Sequence, residues 1–169
     1  MISRQKEGIA PYSDWSRAMR RSFVAALSDD GTLTMESAYD KEWTNFFGGK
    51  PSDAYRTITV ALPSESLEAL SVSTTNEDVK VSDIALTGSA SLSSNGGDVI
   101  VDDIDVGTEL ALSVKNGDIR GNVVGGYDDF SIDVTIKKGD SSLSNKPGGT
   151  KNLTLEANNG DIKLTIGGN

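Results

Sequence analysis

Five aspartates, Asp78, Asp98, Asp118, Asp140 and Asp161, recur along a chain of 169 residues at separations of 20, 20, 22 and 21. Carboxylates on so regular a spacing suit three kinds of chemistry: cation ligation, acid–base work, or capping of backbone amides. The run Gly96-Gly97-Asp98-Val99-Ile100-Val101 superficially matches part of the glycine- and aspartate-rich nonapeptide that binds calcium in β-rolls, but that motif has a period of nine. If equivalent strands stack about 4.8 Å apart, neighbouring carboxylates repel by about 0.9 kcal/mol in water and about 3.5 kcal/mol at an effective dielectric of 20. Hydrogen bonds from backbone amides to a charged group contribute about 1.5–3 kcal/mol and offset the lower figure. The column therefore reads as a set of caps, each carboxylate holding its own turn, and it requires no metal.

Two other acidic groups could carry catalysis: Asp102, Asp103 and Asp105 after the second repeat, and Asp128 with Asp129 further on. Polysaccharide-active solenoids use clustered carboxylates beside basic groups. Here both clusters border turns, where acids serve solubility, and Arg120 is the nearby arginine. The chain has no histidine and no cysteine, which removes imidazole catalysis, thiolate chemistry, disulfides and His/Cys metal sites. Neither a Walker-type phosphate loop nor a dinucleotide fingerprint occurs. No catalytic, cofactor-binding or metal-ligating residue is assigned, and a non-enzymatic protein without cofactors is expected.

The elements that must position the aspartates are strands. Eight, six and four residues before each one stand Leu70/Val72/Thr74, Ala90/Leu92/Ser94, Leu110/Leu112/Val114, Ile132/Val134/Ile136 and Leu153/Leu155/Ala157, alternating with polar residues. That is the period of a half-buried strand. One and three residues after come Val79/Val81, Val99/Val101, Ile119/Gly121, Ser141/Leu143 and Ile162/Leu164, and at plus six Ile84, Ile104 and Val124. Between the runs, Asn-Gly before the aspartate tolerates left-handed backbone. Consecutive hairpins in a sandwich would use the same turns, but each 20-residue unit would then have one small apolar face and no recurrent partner. Stacking successive repeats buries those faces together. The expected fold is all-β: a parallel β-solenoid of about five coils, with an N-terminal hairpin or cap. Ser71, Ser73, Ser91, Ser93, Ser113, Thr154 and Thr165 fall on the outward positions, where hydroxyl columns can bind glycans but more often simply face water.

Upstream, residues 1–22 form a basic segment, read as a short helix or cap, and 23–169 a single solenoid domain with repeats from about 66. Residues 23–28 and 32–36 flank Asp29-Asp30-Gly31 as a hairpin, in competition with a helix over 13–27 in which Trp15, Ala18, Met19, Phe23 and Ala26 share a stripe. Arg56 to Pro63 reads as a strand leading into the first coil, and Trp15, Trp43, Phe46 and Phe47 suit a plug on the open end. The first 27 residues hold five basic groups against two acidic, the remainder 11 against 23. Such an acidic body repels nucleic acid and anionic lipid. No window approaches the roughly 20 apolar residues of a membrane helix, so contact with a membrane is expected only through an anchor outside this sequence. The last strand, Lys163 to Ile166, is expected to leave an exposed edge suited to self-association through the C-terminal coil.

Leu62-Pro63, the run Leu70 to Val79, the repeated Asn-Gly-Asp-Ile, the closing Ser144 to Leu155 and Asp30-Gly31-Thr32-Leu33-Thr34 together resemble a large bacterial family of adhesin-like domains of unknown function. The resemblance covers roughly Asp29 to Ile166 and implies a right-handed parallel β-solenoid at the cell envelope or outer surface, with no catalytic residues to transfer. Glu77 departs from it by replacing the first coil's turn glycine, and Lys138-Gly139-Asp140-Ser141 by breaking the fourth repeat. The functional expectation is a non-enzymatic, envelope-associated scaffold for a protein or glycan partner, the cytoplasm remaining open as a location. The alternative is a carbohydrate-binding or polysaccharide-degrading solenoid.

Overall fold

The computed structural model describes residues 67–167, Val60, Leu62 and the backbone of two strands between 22 and 38. The chain forms two units, Met1–Ile58 and Thr59–Asn169. In the first, β1 (Ser22–Leu27) and β2 (Leu33–Ala38) pair antiparallel, from Ser22 opposite Ala38 to Leu27 opposite Leu33. The hairpin reading thus holds, and the helical alternative fails over Ser22–Leu27. The turn at Asp29-Asp30-Gly31, residues 1–21, the aromatic plug, and the lead-in strand apart from Val60 and Leu62 lie outside the described residues.

The second unit is a parallel β-solenoid. Alternation of apolar and polar residues gives β3 (Ala69–Thr74), β5 (Ser89–Ser94), β7 (Glu109–Asn116), β9 (Phe130–Lys138) and β10 (Lys151–Asn159), which form one sheet. The Val- and Ile-rich runs β4 (Val79–Leu86), β6 (Val99–Val106), β8 (Ile119–Val123) and β11 (Ile162–Ile166) form the other. Inward columns follow the expected register: Leu70, Ala90, Leu110, Leu153 and Ile132 in one line, Val72, Leu92, Leu112, Leu155 and Val134 in the next. The central members of both lines are buried, whereas Leu70, Val72 and Val134 in the outer coils are half-buried.

The coils do not stack in chain order. In the first sheet the order is β3-β5-β7-β10-β9, so the fifth repeat is inserted between the third and the fourth. The fourth repeat contributes no strand to the second sheet, only a parallel bridge from Ser141 to Ile162. A coil lacking half its apolar ladder makes a poor platform for a neighbour on each side and costs least at the end of the stack. The complete set Leu153, Leu155, Ala157, Ile162 and Leu164 fills the interior place, and all five are buried. This corrects the premise that the C-terminal coil ends the solenoid. β11 is the edge of its sheet, but Ser142 lies along it, donating from N to Ile162 O (2.8 Å) and accepting at Oγ from Leu164 N (3.0 Å).

A second correction concerns Val124. Asp83 and Asp103 adopt left-handed backbone (φ 54° and 52°), which inserts one residue into β4 and β6. The third coil lacks that residue, so Val123, not Val124, stands in line with Ile104 and Ile166. Asn122 fills the gap with its side chain, accepting at Oδ1 from Asp103 N (3.3 Å) and donating from Nδ2 to Asp103 Oδ1 (2.6 Å).

Coil order has a direct test in this cysteine-free chain. Ser113 faces Glu156 on the adjacent strand, whereas Thr135 lies one strand further out. Adjacent strands lie about 4.8 Å apart, within the roughly 4.4–6.8 Å Cα window of a disulfide, and next-but-one strands lie outside it. The pair Ser113→Cys/Glu156→Cys is expected to oxidise to an intramolecular disulfide and Ser113→Cys/Thr135→Cys to keep free thiols, read by thiol titration. The reverse result would restore chain-order stacking.

Candidate functional site

The turn between the two sheets brings the five aspartates into one column, in the stacking order 78, 98, 118, 161, 140. The first four carboxylates in that order each hold the next coil rather than their own turn. Asp78 Oδ1 accepts from Asp98 N (2.8 Å), Asp98 Oδ1 from Asp118 N (2.8 Å), Asp118 Oδ1 from Asp161 N (2.8 Å) and Asp161 Oδ1 from Asp140 N (3.1 Å). The expected cap is thus real but lies between coils. Like-charge repulsion is relieved by two cations two residues beyond an aspartate. Arg120 reaches back to Asp98, and Lys163 Nζ bonds Asp161 Oδ2 at 2.8 Å.

The glycine before each aspartate serves the same column. A Cβ on Gly117 would stand 2.2 Å from Gly97 O, on Gly160 1.9 Å from Gly117 O, and on Gly139 2.0 Å from Gly160 O. Every such Cβ would point at the preceding coil in the stack. No described coil precedes the first, and there Glu77 takes the glycine's place. Left-handed φ, the expected reason for Asn-Gly, applies in this column at Gly139 (131°) and Gly160 (146°). At Gly97 and Gly117 close approach alone demands glycine.

Lys163, by its hydrogen bond and then by its charge, and Asp140 N between them in rank, hold the Asp161 carboxyl below its ordinary value of 3.8. Asp161 in turn raises Lys163 above 10.5. A lowered carboxylate pKa stabilises the fold above the unfolded value and loses that contribution as pH falls through the folded one. A raised lysine contributes below 10.5 and loses it as pH rises past its folded value. Both groups are solvent-facing, so this is a small effect.

The backbone caps matter more. Asp118→Ala strips the acceptor from Asp161 N and is expected to cost about 1.5–3 kcal/mol. Asp118→Asn keeps an Oδ1 acceptor and should recover much of that loss in urea melts. Equal losses for the two variants would show that charge, not acceptance, matters there. Calcium and chelator are both expected to leave the melting temperature of the parent chain unchanged.

The clusters weighed for catalysis are engaged separately. Asp105 Oδ1 pairs with Lys151 Nζ at 3.0 Å, and Asp103 is held by Asn122. Asp129 Oδ2 accepts from Gly126 N (2.8 Å) to close the 3-10 turn Tyr127–Asp129, while Asp128 meets Lys146 Nζ at 3.5 Å. Among the described residues no three acidic side chains gather around a common point suited to a metal ion.

Sequence reasoning set aside the outward face of the first sheet, and the structure gives that face a shape. Ser73, Ser93 and Ser113 align across three coils, with Ser93 Oγ donating to Ser73 Oγ at 3.0 Å. Beside them opens a shallow recess of about 620 Å³ also lined by Lys115, Lys137 and Glu156. Thr74 and Ser94 turn inward instead, and Ser94 Oγ donates to Glu77 O (3.0 Å) and accepts from Gly97 N (2.9 Å). The signal for the recess was the outward serine and lysine pattern. Its position depends on the insertion of the fifth coil, which puts Asn158 between Lys115 and Lys137.

No curated protein and no solved structure matches the chain. A family model described as Toastrack DUF4097, a domain of unknown function, matches residues 12–169, nearly the whole sequence including the repeats and the hairpin. The chain belongs to the Toastrack DUF4097 family.

Proposed function

We propose that this chain is a non-enzymatic scaffold, carried at a bacterial cell envelope, that presents the outer face of its first sheet to a protein or glycan partner. The observation that carries this reading is the commitment of the repeated carboxylates: each of the four that faces a following coil accepts that coil's aspartate N–H. An acid spent on an inter-coil cap is not poised to exchange protons with a substrate. The face left for a partner is broad, shallow and rich in hydroxyls, with Lys115 and Lys137 set in an otherwise acidic body. The envelope location and the adhesin-like role rest on the family resemblance.

A carbohydrate partner is favoured by the recess itself, since serine hydroxyls beside two lysines suit the hydroxyls and carboxylates of an acidic glycan. The test is to incubate the purified chain with neutral and acidic polysaccharides, reading new reducing ends and unsaturated products alongside binding by calorimetry. Binding without cleavage, lost in Ser93→Arg at unchanged melting temperature, is expected. Turnover of any polymer would overturn the scaffold reading. Binding indifferent to Ser93→Arg would move the partner to another surface.

A further inference from the structure

The outermost strand of the stack, β9, pairs with β10 on one side. Its other side is covered over half its length by the segment Ser144 to Thr150. Lys146 forms an antiparallel bridge with Ile132, with N–O distances of 2.7 and 2.9 Å, and Asn145 Oδ1 accepts from Val134 N (2.5 Å). Lys146 Nζ also donates to Phe130 O (3.2 Å), and Thr150 N donates to Asp129 O (2.9 Å). Beyond Val134, residues 135–138 have no strand partner on that side among the described residues. The covering segment is itself mostly exposed. It turns through Pro147 and two glycines in left-handed backbone, Gly148 (φ 91°) and Gly149 (φ 100°). A parallel sheet ending in a half-covered strand is an edge that can pair with another chain.

The uncovered sequence is complementary to itself. The backbone groups of Ile132 and Val134 face the edge, because they bond the covering segment, and Ile136 shares their parity. In an antiparallel pairing of two β9 strands about a two-fold axis at Thr135, Val134 would meet Ile136 of the second copy as a hydrogen-bonded pair. Asp133 would meet Lys137 as the closer, non-hydrogen-bonded pair. The axis makes each contact twice: two carboxylate–ammonium pairs on the outward face and two aliphatic pairs on the inward face. Asp133 and Lys137 are exposed and have no ion-pair partner among the described residues. Val134 and Ile136 are half-buried apolar residues at the end of the core. Pairing in that register needs the Val134 N–H that Asn145 now occupies, and it brings the second copy's strand alongside Ile132, where Lys146 now lies.

We infer that the segment Ser144 to Lys146 is a displaceable guard over a homodimerisation edge: seated, it keeps the chain monomeric, and released, it lets two copies join β9 to β9 about Thr135. This does not depend on the scaffold reading, since it rests on the backbone edge of β9 and is read as association of two copies, although Lys137 also borders the recess.

Sedimentation velocity of the whole chain tests it, with the parent compared against Asn145→Ala/Lys146→Pro, which removes the Asn145 acceptor and both Lys146 donors, N and Nζ, and leaves only the residue 146 carbonyl for Ile132 N. A monomeric parent is expected, with a dimeric guard variant at the same concentration. Adding Asp133→Lys should return that variant to monomer, and adding Lys137→Asp as well should restore the dimer. If the double guard variant does not fold, Asn145→Ala alone should lower the dimer dissociation constant at least tenfold below the parent's. A guard variant that stays monomeric with unchanged circular dichroism would overturn the inference. So would a parent already dimeric, or a dimer indifferent to the charge reversals.

Discussion

Gly160→Ala is expected to destabilise the solenoid by about 3 kcal/mol or more, as two separable costs fall on one methyl group. The new Cβ would stand 1.9 Å from Gly117 O, a contact that only movement of a coil can relieve. Overpacking a well-packed interior costs about 1–3 kcal/mol, and occasionally more. The backbone at Gly160 has φ 146°, and holding a side chain in such a region adds about 1–3 kcal/mol. Two further glycines separate these costs. Gly117→Ala meets Gly97 O at 2.2 Å without left-handed φ, and Gly148→Ala has φ 91° with nothing within 4 Å. Chemical denaturation should rank the losses Gly160 first, Gly117 second and Gly148 last, at about 1 kcal/mol. If Gly148→Ala cost as much as Gly117→Ala, backbone freedom and not close approach would explain the column. The expected ranking would establish that the glycine of the Asn-Gly-Asp motif is conserved within this chain's own repeats for stacking.

The ladder was legible because it rests on local information. Alternation marks which side chains turn inward, and a spacing near 20 fixes which residues align, so Leu92, Leu112 and Leu155 could be put in one line from their offsets to Asp98, Asp118 and Asp161. Coil order was not legible, because every apolar repeat presents the same kind of edge and period alone does not say which edge comes next. The clue was the broken fourth repeat, where Ser141 and Ser142 stand in place of a second-sheet strand. A defect of that kind belongs at an end, yet four-then-five is the default of a chain read in order. The same locality explains Val124: a constant offset of plus six cannot register that the third coil lacks the left-handed residue supplied by Asp83 and Asp103 in the first two. The aspartates were recognised as caps, but their partners were assigned to the wrong coil. Sequence separation favours the local turn, whereas the geometry of stacked backbones puts the next coil's N–H within 2.8–3.1 Å. The recess between Lys115 and Lys137 inherits its position from the coil order, so it was hidden for the same reason.

Leu112→Ala is expected to cost about 2–5 kcal/mol, the range for truncating a buried leucine where the surroundings close only partly over the cavity. Leu112 is 1 % exposed and lies between Leu92 and Leu155, themselves fully buried, so the void would be walled by neighbours fixed in their own strands. Those strands are tied on both sides by ladder hydrogen bonds and by the aspartate caps, which limits collapse. The position along the stack matters as much as the burial. A solenoid is held by nearest-neighbour interfaces, and a lesion in the third coil weakens its contacts with both the second and the fifth. Ile136 provides the contrast. It points inward in the outermost coil, is half-buried and has one coil beside it, so Ile136→Ala should cost about 1 kcal/mol, in keeping with loss of partly covered methylenes. Paired urea melts of the two variants read the gradient directly. A loss below about 1 kcal/mol for Leu112→Ala would place that residue outside the core. Equal losses at the two positions would mean that the fourth coil is covered on its far side as fully as the third.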